Sequence, residues 1–509
     1  MPPARRRGTA AVVLCLAAAL VFSACSAPVA KSARPDGLVV AETTPPSTLD
    51  PQGSSMFADR FAWQLSYECL YTTTADGRVE PALATGYEKS ADGLKYTFTL
   101  REDVRFHNGA EMTADDVVFS FDRLSNSPDG IDKEVFPMLD KVEKAAADKV
   151  TFTLKKPDAG FVNNMANPLV WGCAIMSEKA ADEANPAITM VGTGPWKQTE
   201  YRANSKLQLE RNGGYWGKKA AAPALSVLYI PNVATQVANL QADKIDLMFP
   251  DSASADAVRD DPDVTLREAK TDSTLFLQVN NLRKPFDNQL VRQALALAID
   301  RQELADGAYQ GDARPSGYVP SAEWAPEVKD LPFYQPDIPR AKKLLREAGF
   351  PRGFSTTLMY ISGYDPGTDN MMALLQDQLA RVGIKVKLLP KEQAAWSAKL
   401  GGPDYALSWN AQSYYPNPLQ YVLPAEGRQG PTPKSLQKLI DEARSAGSQS
   451  AYYDKLTEIS RHEATLVYPT VTLLASNMFA AYRDTLAKVS VPPSQSRAFL
   501  AGVTKEQRR

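Results

Sequence analysis

Strand-like and helix-like segments alternate from Thr356 to Trp409, and few folds accept that pattern. Thr356–Ile361, Ile384–Leu389 and Tyr405–Trp409 are short runs rich in β-branched, aliphatic and aromatic residues. Between them, Asn370–Val382 and the stretch around Lys391–Leu400 carry apolar residues at helical spacing. Gly383 follows the first helix, and Gly349 closes another at Pro336–Gly349; glycine is the usual residue just past a helix end. Strand, helix, strand, helix, strand requires a parallel sheet with crossover helices, so the chain is α/β.

The flanking sequence extends this plan. Leu275–Val279 is a strand, and Asn288–Ile299 is a helix with Val291, Ala294, Leu295 and Ala298 on one face. Lys434–Ala446 and Ala451–Leu466 read as helices, with Val471–Leu474 and the tail as returning strands. The earlier half repeats it less completely. Leu38–Ala41 is a strand entering the Pro-rich loop Thr43–Pro51, and Ala58–Leu70 is a helix with Phe61, Leu65 and Cys69 aligned. Lys95–Leu100 and Val150–Leu154 are strands, and Thr113-Ala114-Asp115-Asp116 opens a helix running to Leu124. Trp196–Glu210 is a β region, and Leu225–Ile230, Ala234–Gln241 and Ile245–Phe249 form a βαβ unit. Gly192-Thr193-Gly194-Pro195-Trp196 invites comparison with a phosphate cradle. A tight turn is the better reading, because no Lys-Ser/Thr follows and strands come next, offering no helix N-terminus to an anion.

The chain starts with an export signal. Arg5, Arg6 and Arg7 precede the apolar run Ala10–Phe22, which is shorter than the about 20 residues a membrane-spanning helix needs. Ser23-Ala24 then precedes Cys25, which resembles a bacterial lipoprotein cleavage site with Phe22 where Leu is preferred; an ordinary cleaved signal is the alternative. The expected organisation is residues 1–24 signal peptide and 25–37 lipidated Cys25 and tether, anchored to the outer face of the cytoplasmic membrane. Losing the leader, with three Arg and no acid, takes the formal charge from −2 to −5, which is no footprint for nucleic acid. Cys69 and Cys173 remain, either as a disulfide or as two buried thiols.

In open α/β sheets ligands gather beyond the carboxyl ends of parallel strands. The loops there are Thr43–Met56, Ser362–Pro366 and the segment opening at Trp409. They supply the candidate contacts Gly53, Ser54, Ser55, Met56, Tyr364, Asn410, Gln412, Ser413, Tyr414 and Tyr415, together with Tyr360 and Trp409. This mixture offers stacking area plus neutral hydrogen-bonding groups, as small-molecule pockets do. Core packing is the alternative for Trp409.

Several blocks, in order along the chain, resemble one family. They are Tyr67-Glu68-Cys69-Leu70; Pro81-Ala82-Leu83-Ala84 through Leu94–Arg101; Val104-Arg105-Phe106-His107-Asn108-Gly109 with Thr113–Val117; Gly192–Trp196; and Pro285-Phe286-Asp287 with Val291–Arg301. They are similar to the extracellular solute-binding proteins of the peptide/nickel/oligopeptide ABC-transporter family, family 5. The resemblance implies a two-lobed periplasmic-binding-protein-like fold with an inserted subdomain, mixed and parallel sheets flanked by helices, and a hinge between lobes. Lobe I would comprise 38–75, 191–277 and 476–509, the insert 76–190 and lobe II 278–475, with the hinge near Val279-Asn280 and Ala475-Ser476. Within these blocks Gly109 serves a turn, Asp115 and Asp116 a helix start, and Arg292 a structural ion pair.

The resemblance also implies a monomeric binder that delivers a solute to ABC permease subunits, without cofactor, metal or catalytic residues. A peptide or oligopeptide is the first expectation. Peptide-binding members place an Asp shortly after the residue matching Trp409, whereas here no acid occurs before Glu426. A buried ammonium needs a carboxylate, so a free peptide N-terminus requires Asp50, Glu42 or Asp365 to supply it. A sugar-like solute or a metal chelate is the alternative; direct nickel coordination is disfavoured by the presence of only His107 and His462. An exported hydrolase is a distant reading, because neither G-x-S-x-G nor H-E-x-x-H occurs.

Overall fold

The computed structural model describes residues 37–506 apart from 55–56, 75–77, 127–134, 167–171, 311, 318–323, 366, 401–403, 413–418 and 420–430. An 11-stranded sheet carries the fold. Its order is Ile384–Lys391, Phe354–Ile361, Leu407–Gln412, Val264–Val279, Thr470–Arg483, Leu247–Met248, Leu38–Glu42, Ala224–Tyr229, Lys206–Arg211 and Trp196–Arg202, with Ala313–Pro315 also paired to Thr470–Arg483. Val264–Val279 and Thr470–Arg483 pass through both halves.

Around Leu407–Gln412 the expected parallel sheet is present: Phe354–Ile361 runs parallel to both its neighbours. Leu407–Gln412 then meets Val264–Val279 antiparallel, so the whole sheet is mixed. The helices of this half, including Gln289–Leu297 and Thr368–Ala380, cover a core that contains Leu277, Leu295, Leu358, Met371, Leu407 and Trp409. Asn288 caps the first of these helices, its side chain accepting from Leu290 N–H. The other half buries Leu38, Val40, Trp196 and Leu225 in a cluster continuous with the segment expected as an insert. There a 4-stranded antiparallel sheet, Ala84–Lys89, Lys95–Leu100, Lys149–Leu154 and Leu139–Ala146, packs Phe152, itself against Phe98, on Phe121 of the helix Ala114–Ser125. Thr113 and Asp116 form a reciprocal capping box at that helix's start. A disulfide joins Cys69 to Cys173 across a sequence separation of 104.

Four expectations need correction. The helix expected over Ala58–Leu70 spans only Phe57–Trp63. Beyond it the backbone turns, because Ser66 O accepts from Gly194 N–H at 2.9 Å and lies 2.0 Å from where a Cβ on Gly192 would sit. Gly192–Trp196 is thus a close-packed junction, also held by His107 Nε2 against Gly194 O at 3.0 Å. In the βαβ unit, Leu38–Glu42 lies between the two strands and is parallel to both. Val264–Val279 begins well before Leu275, since its first part is largely exposed and lacks an apolar run. Among the described residues Arg292 forms no ion pair; it donates to the carbonyls of Val467 and Phe286 at 3.0 and 2.9 Å and of Leu466 at 3.2 Å.

Candidate functional site

Strand direction marks out a candidate site. The ladder between the two long strands breaks between Lys270, opposite Asn477, and Thr274, opposite Ala475. Leu407–Gln412 pairs from Val279 down to Thr274, so its carboxyl end arrives at this break. From the other half, Leu247 and Met248 pair with Tyr482 and then Ala481, so this strand also runs towards the break, and Leu38–Glu42 runs parallel to it. The carboxyl ends of parallel strands from both halves therefore face one line, where ligand sites of α/β sheets form.

The break itself is braced. Thr271 Oγ1 donates to Ser476 O at 2.6 Å, and Asp272 N–H donates to Pro493 O at 3.0 Å. Arg314 forks to Asn477 Oδ1 and Thr271 O, both at 2.9 Å, and Asn477 Nδ2 donates to Glu268 Oε1. On the first strand the crossing lies at residues 271–273, earlier than Val279-Asn280; Val279 is fully buried in the core around Trp409. On the second strand it falls at 475–477. Sequence reasoning missed Asp272, Arg314 and Asn477, because strand residues that interrupt a ladder have no local signature.

Of the sequence-derived contacts, Tyr364 and Trp409 touch, ring edge to ring face at 4.9 Å. Trp409 is fully buried, and its Nε1–H has no hydrogen-bond partner among the described residues. Tyr364 is 50% exposed and covers it. Tyr360 is buried in the same core, and burial together with a bond to Asp369 pushes its hydroxyl up to about 12. Asn410 is half-buried with Oδ1 accepting from Ala411 N–H at 2.8 Å. Across the break, Gly53 is exposed and Ser54 half-buried. Ser55, Met56, Ser413, Tyr414, Tyr415, the Gln412 side chain and Cys25 lie outside the described residues.

Each carboxylate considered for an ammonium is already engaged. Asp50 receives Arg123 through Nη1 at 3.1 Å and Nη2 at 2.5 Å. Glu42 receives Arg497 Nε at 2.6 Å, and the Arg497 guanidinium is stacked between the rings of Phe61 and Phe249 at 3.9 and 3.5 Å. Asp365 accepts from the N–H groups of Gly367 and Thr368 at 2.9 and 2.7 Å and from the Tyr309 hydroxyl. Asp272, buried at the break, is not free either. Among the described residues no group of His, Cys, Asp and Glu is arranged to hold a metal, and no helix is long and apolar enough to cross a membrane.

The model of the bacterial extracellular solute-binding proteins, family 5 Middle, matches residues 78–431. The chain belongs to this family. It is 33% identical over 378 residues to heme-binding protein A of Haemophilus influenzae, covering 65% of this chain and 68% of that protein. It is 28% identical to the glutathione-binding protein GsiB of Salmonella paratyphi A, over 91% of this chain and 93% of the relative. Among solved structures, the periplasmic binding protein DppA of Helicobacter pylori, in complex with the peptide STSA, superposes with a TM-score of 0.78 at 25% identity, covering 92% of this chain and 98% of that one. The family 5 relatives are binding proteins, and the mixed α/β sheet flanked by helices is their fold.

Proposed function

We propose that this family 5 protein is the capture component of an ABC importer, taking a peptide or oligopeptide between two lobes and delivering it to membrane permease subunits. The observation that carries the reading is the convergence of parallel-strand ends from both halves onto the braced break in the two crossing strands. Lobe I (38–75, 191–277 and 476–509, with the insert 76–190) and lobe II (278–475) would close about that break, which moves their boundary to 271–273 on the first strand. Family names and a peptide-bound relative support peptide as the solute. Among the described residues beside Trp409, Tyr364 is the exposed ring. A solute that turns it aside would reach the indole N–H of Trp409, which has no partner among the described residues. Cys25 would carry the lipid that keeps the exported protein at the membrane.

A second reading keeps the transport role with a non-peptide polar solute, sugar-like or a metal chelate. The engagement of Asp50, Glu42 and Asp365 favours it, since an incoming ammonium would have to compete with a partner already in place. Thermal melts discriminate. A free tripeptide mixture should raise the melting temperature, because a ligand at a hundred times its Kd adds about 2.7 kcal/mol to the folded state. Trp409→Phe should weaken that response while the ligand-free melt moves little. A melt unmoved by peptides but raised by a sugar or chelate panel selects the second reading. No response to any of them defeats the capture role.

A further inference from the structure

One contact joins the two lobes far along the chain from the crossing strands. Asp158-Ala159-Gly160 is a turn beyond the strand Lys149–Leu154, closed within itself by Gly160 N–H on Asp158 Oδ1 at 3.0 Å and tied to its own sheet by Tyr96, whose hydroxyl donates to Asp158 O at 3.0 Å. That sheet is continuous with the first core and is bolted to it through Cys69–Cys173. Yet Ala159 N–H donates to Arg444 O, at the end of the helix Lys434–Arg444, at 2.9 Å. The Ala159 side chain packs on the cluster of Leu436, Ile440, Ala443 and Tyr452, which belongs to the opposite half.

Among the described residues the two long strands carry the chain between the halves at 271–273 and 475–477, so rotation there displaces Ala159 relative to Arg444. A hydrogen bond does not survive stretching by more than a few tenths of an ångström beyond about 3.2 Å, so any appreciable opening breaks it. Tyr452 links this contact to the crevice. Fully buried, it receives Leu419 N–H on its hydroxyl at 3.3 Å, and Leu419 lies in the segment that leaves the crevice strand Leu407–Gln412. Burial first, and then the nearby Asp158, raise the pKa of that hydroxyl, consistent with the turn lying close to it.

We propose that the turn Asp158–Gly160 is a clasp, made only in the closed arrangement, through which the insert stabilises closure and senses the crevice segment by way of Tyr452. The proposal rests on lobe closure as described above, and not on which solute is captured. Its net worth is that of one hydrogen bond plus a small apolar contact, which shifts the open-to-closed ratio by about fivefold.

Amide exchange of the segment 157–161 and the radius of gyration in solution test this on the full chain, for wild type, Ala159→Glu and Tyr452→Phe. Both variants should exchange the residue 159 amide about fivefold faster and be more expanded, with exchange of the strand Lys95–Leu100 unchanged. Should Ala159→Glu also loosen that strand, Tyr452→Phe, which leaves the turn intact, decides. Unchanged exchange and radius in Ala159→Glu overturn the clasp, and the same result in Tyr452→Phe overturns its coupling to Leu419. In wild type, a free tripeptide mixture that raises the melt should also slow segment 157–161. A raised melt with no slowing overturns the clasp while leaving capture in place. An unmoved melt with the variants behaving as stated leaves the clasp in place and removes the peptide.

Discussion

Glu463 should make this protein less stable as pH rises through the mildly acidic range, and replacing it should remove that loss. The residue lies in the helix Gln449–Leu466, is fully buried, and neither carboxyl oxygen has a hydrogen-bond partner among the described residues. The backbone N–H groups of Val467 and Tyr468 are bound to its carbonyl, not to its side chain. Burial therefore raises its pKa well above the ordinary carboxylate range. A carboxyl of this kind keeps its proton in the folded state after the unfolded chain, with a pKa of about 4.3, has released it. Its contribution is fully present below that value and is lost as pH rises towards the folded pKa, at about 1.4 kcal/mol per pH unit.

Glu463→Gln holds the shape and carries no titration. Its amide brings a desolvation cost of its own, but that cost is independent of pH and cancels in the slope. From pH 5 to pH 6 the stability of the variant relative to wild type should therefore rise. Urea unfolding of both proteins at half-unit pH steps reads this as diverging midpoints at constant m. Paired carboxylates elsewhere titrate in both proteins alike, so they drop out of the difference. A flat difference across that unit would show that the carboxyl ionises normally, and hence that it finds water or a cation in solution; the reasoning would then be wrong.

Two further outcomes follow from buried groups. Arg497→Ala strands Glu42 in a site where the Arg497 side chain is 4% and the Glu42 side chain 12% exposed, and should cost about 3–5 kcal/mol in urea unfolding; Arg497→Lys, which keeps charge but loses the fork and the stacking on Phe61 and Phe249, should fall between, and a loss under 1 kcal/mol for the alanine variant would refute the pairing. His107 has the opposite pH sign to Glu463: burial lowers its pKa to about 4, so stability is present above the unfolded value of about 6.5 and is lost as pH falls towards 4, and its ring proton resonances should not titrate between pH 7 and pH 5.

What the sequence made legible was periodic. Phe354–Ile361, Thr368–Ala380 and Gln449–Leu466 lie within a few residues of where spacing places them, because each buries one face and shows the other. The family blocks were legible too, and several are junctions in the structure: Glu68 holds Thr193, Tyr215 and Trp216 together, and Gly192 packs on Ser66. Local spacing could not see where one segment presses on another. The helix after Phe57 stops short because residues more than a hundred positions later occupy the space beside Ser66.

The same limit governs the site. The aromatic segment around Trp409 marks a strand end at the break, yet Trp409 itself is core, and among the described residues of that segment's surroundings Tyr364 is the exposed ring. Whether Asp50 or Glu42 can meet an ammonium depends on Arg123 and Arg497, partners 73 and 455 positions away. Neither arginine has a motif that announces its role. If the proposed capture role holds, charge selectivity would follow from long-range pairings: moving either arginine would free a carboxylate for an incoming ammonium, without altering any residue of the loops proposed as contacts.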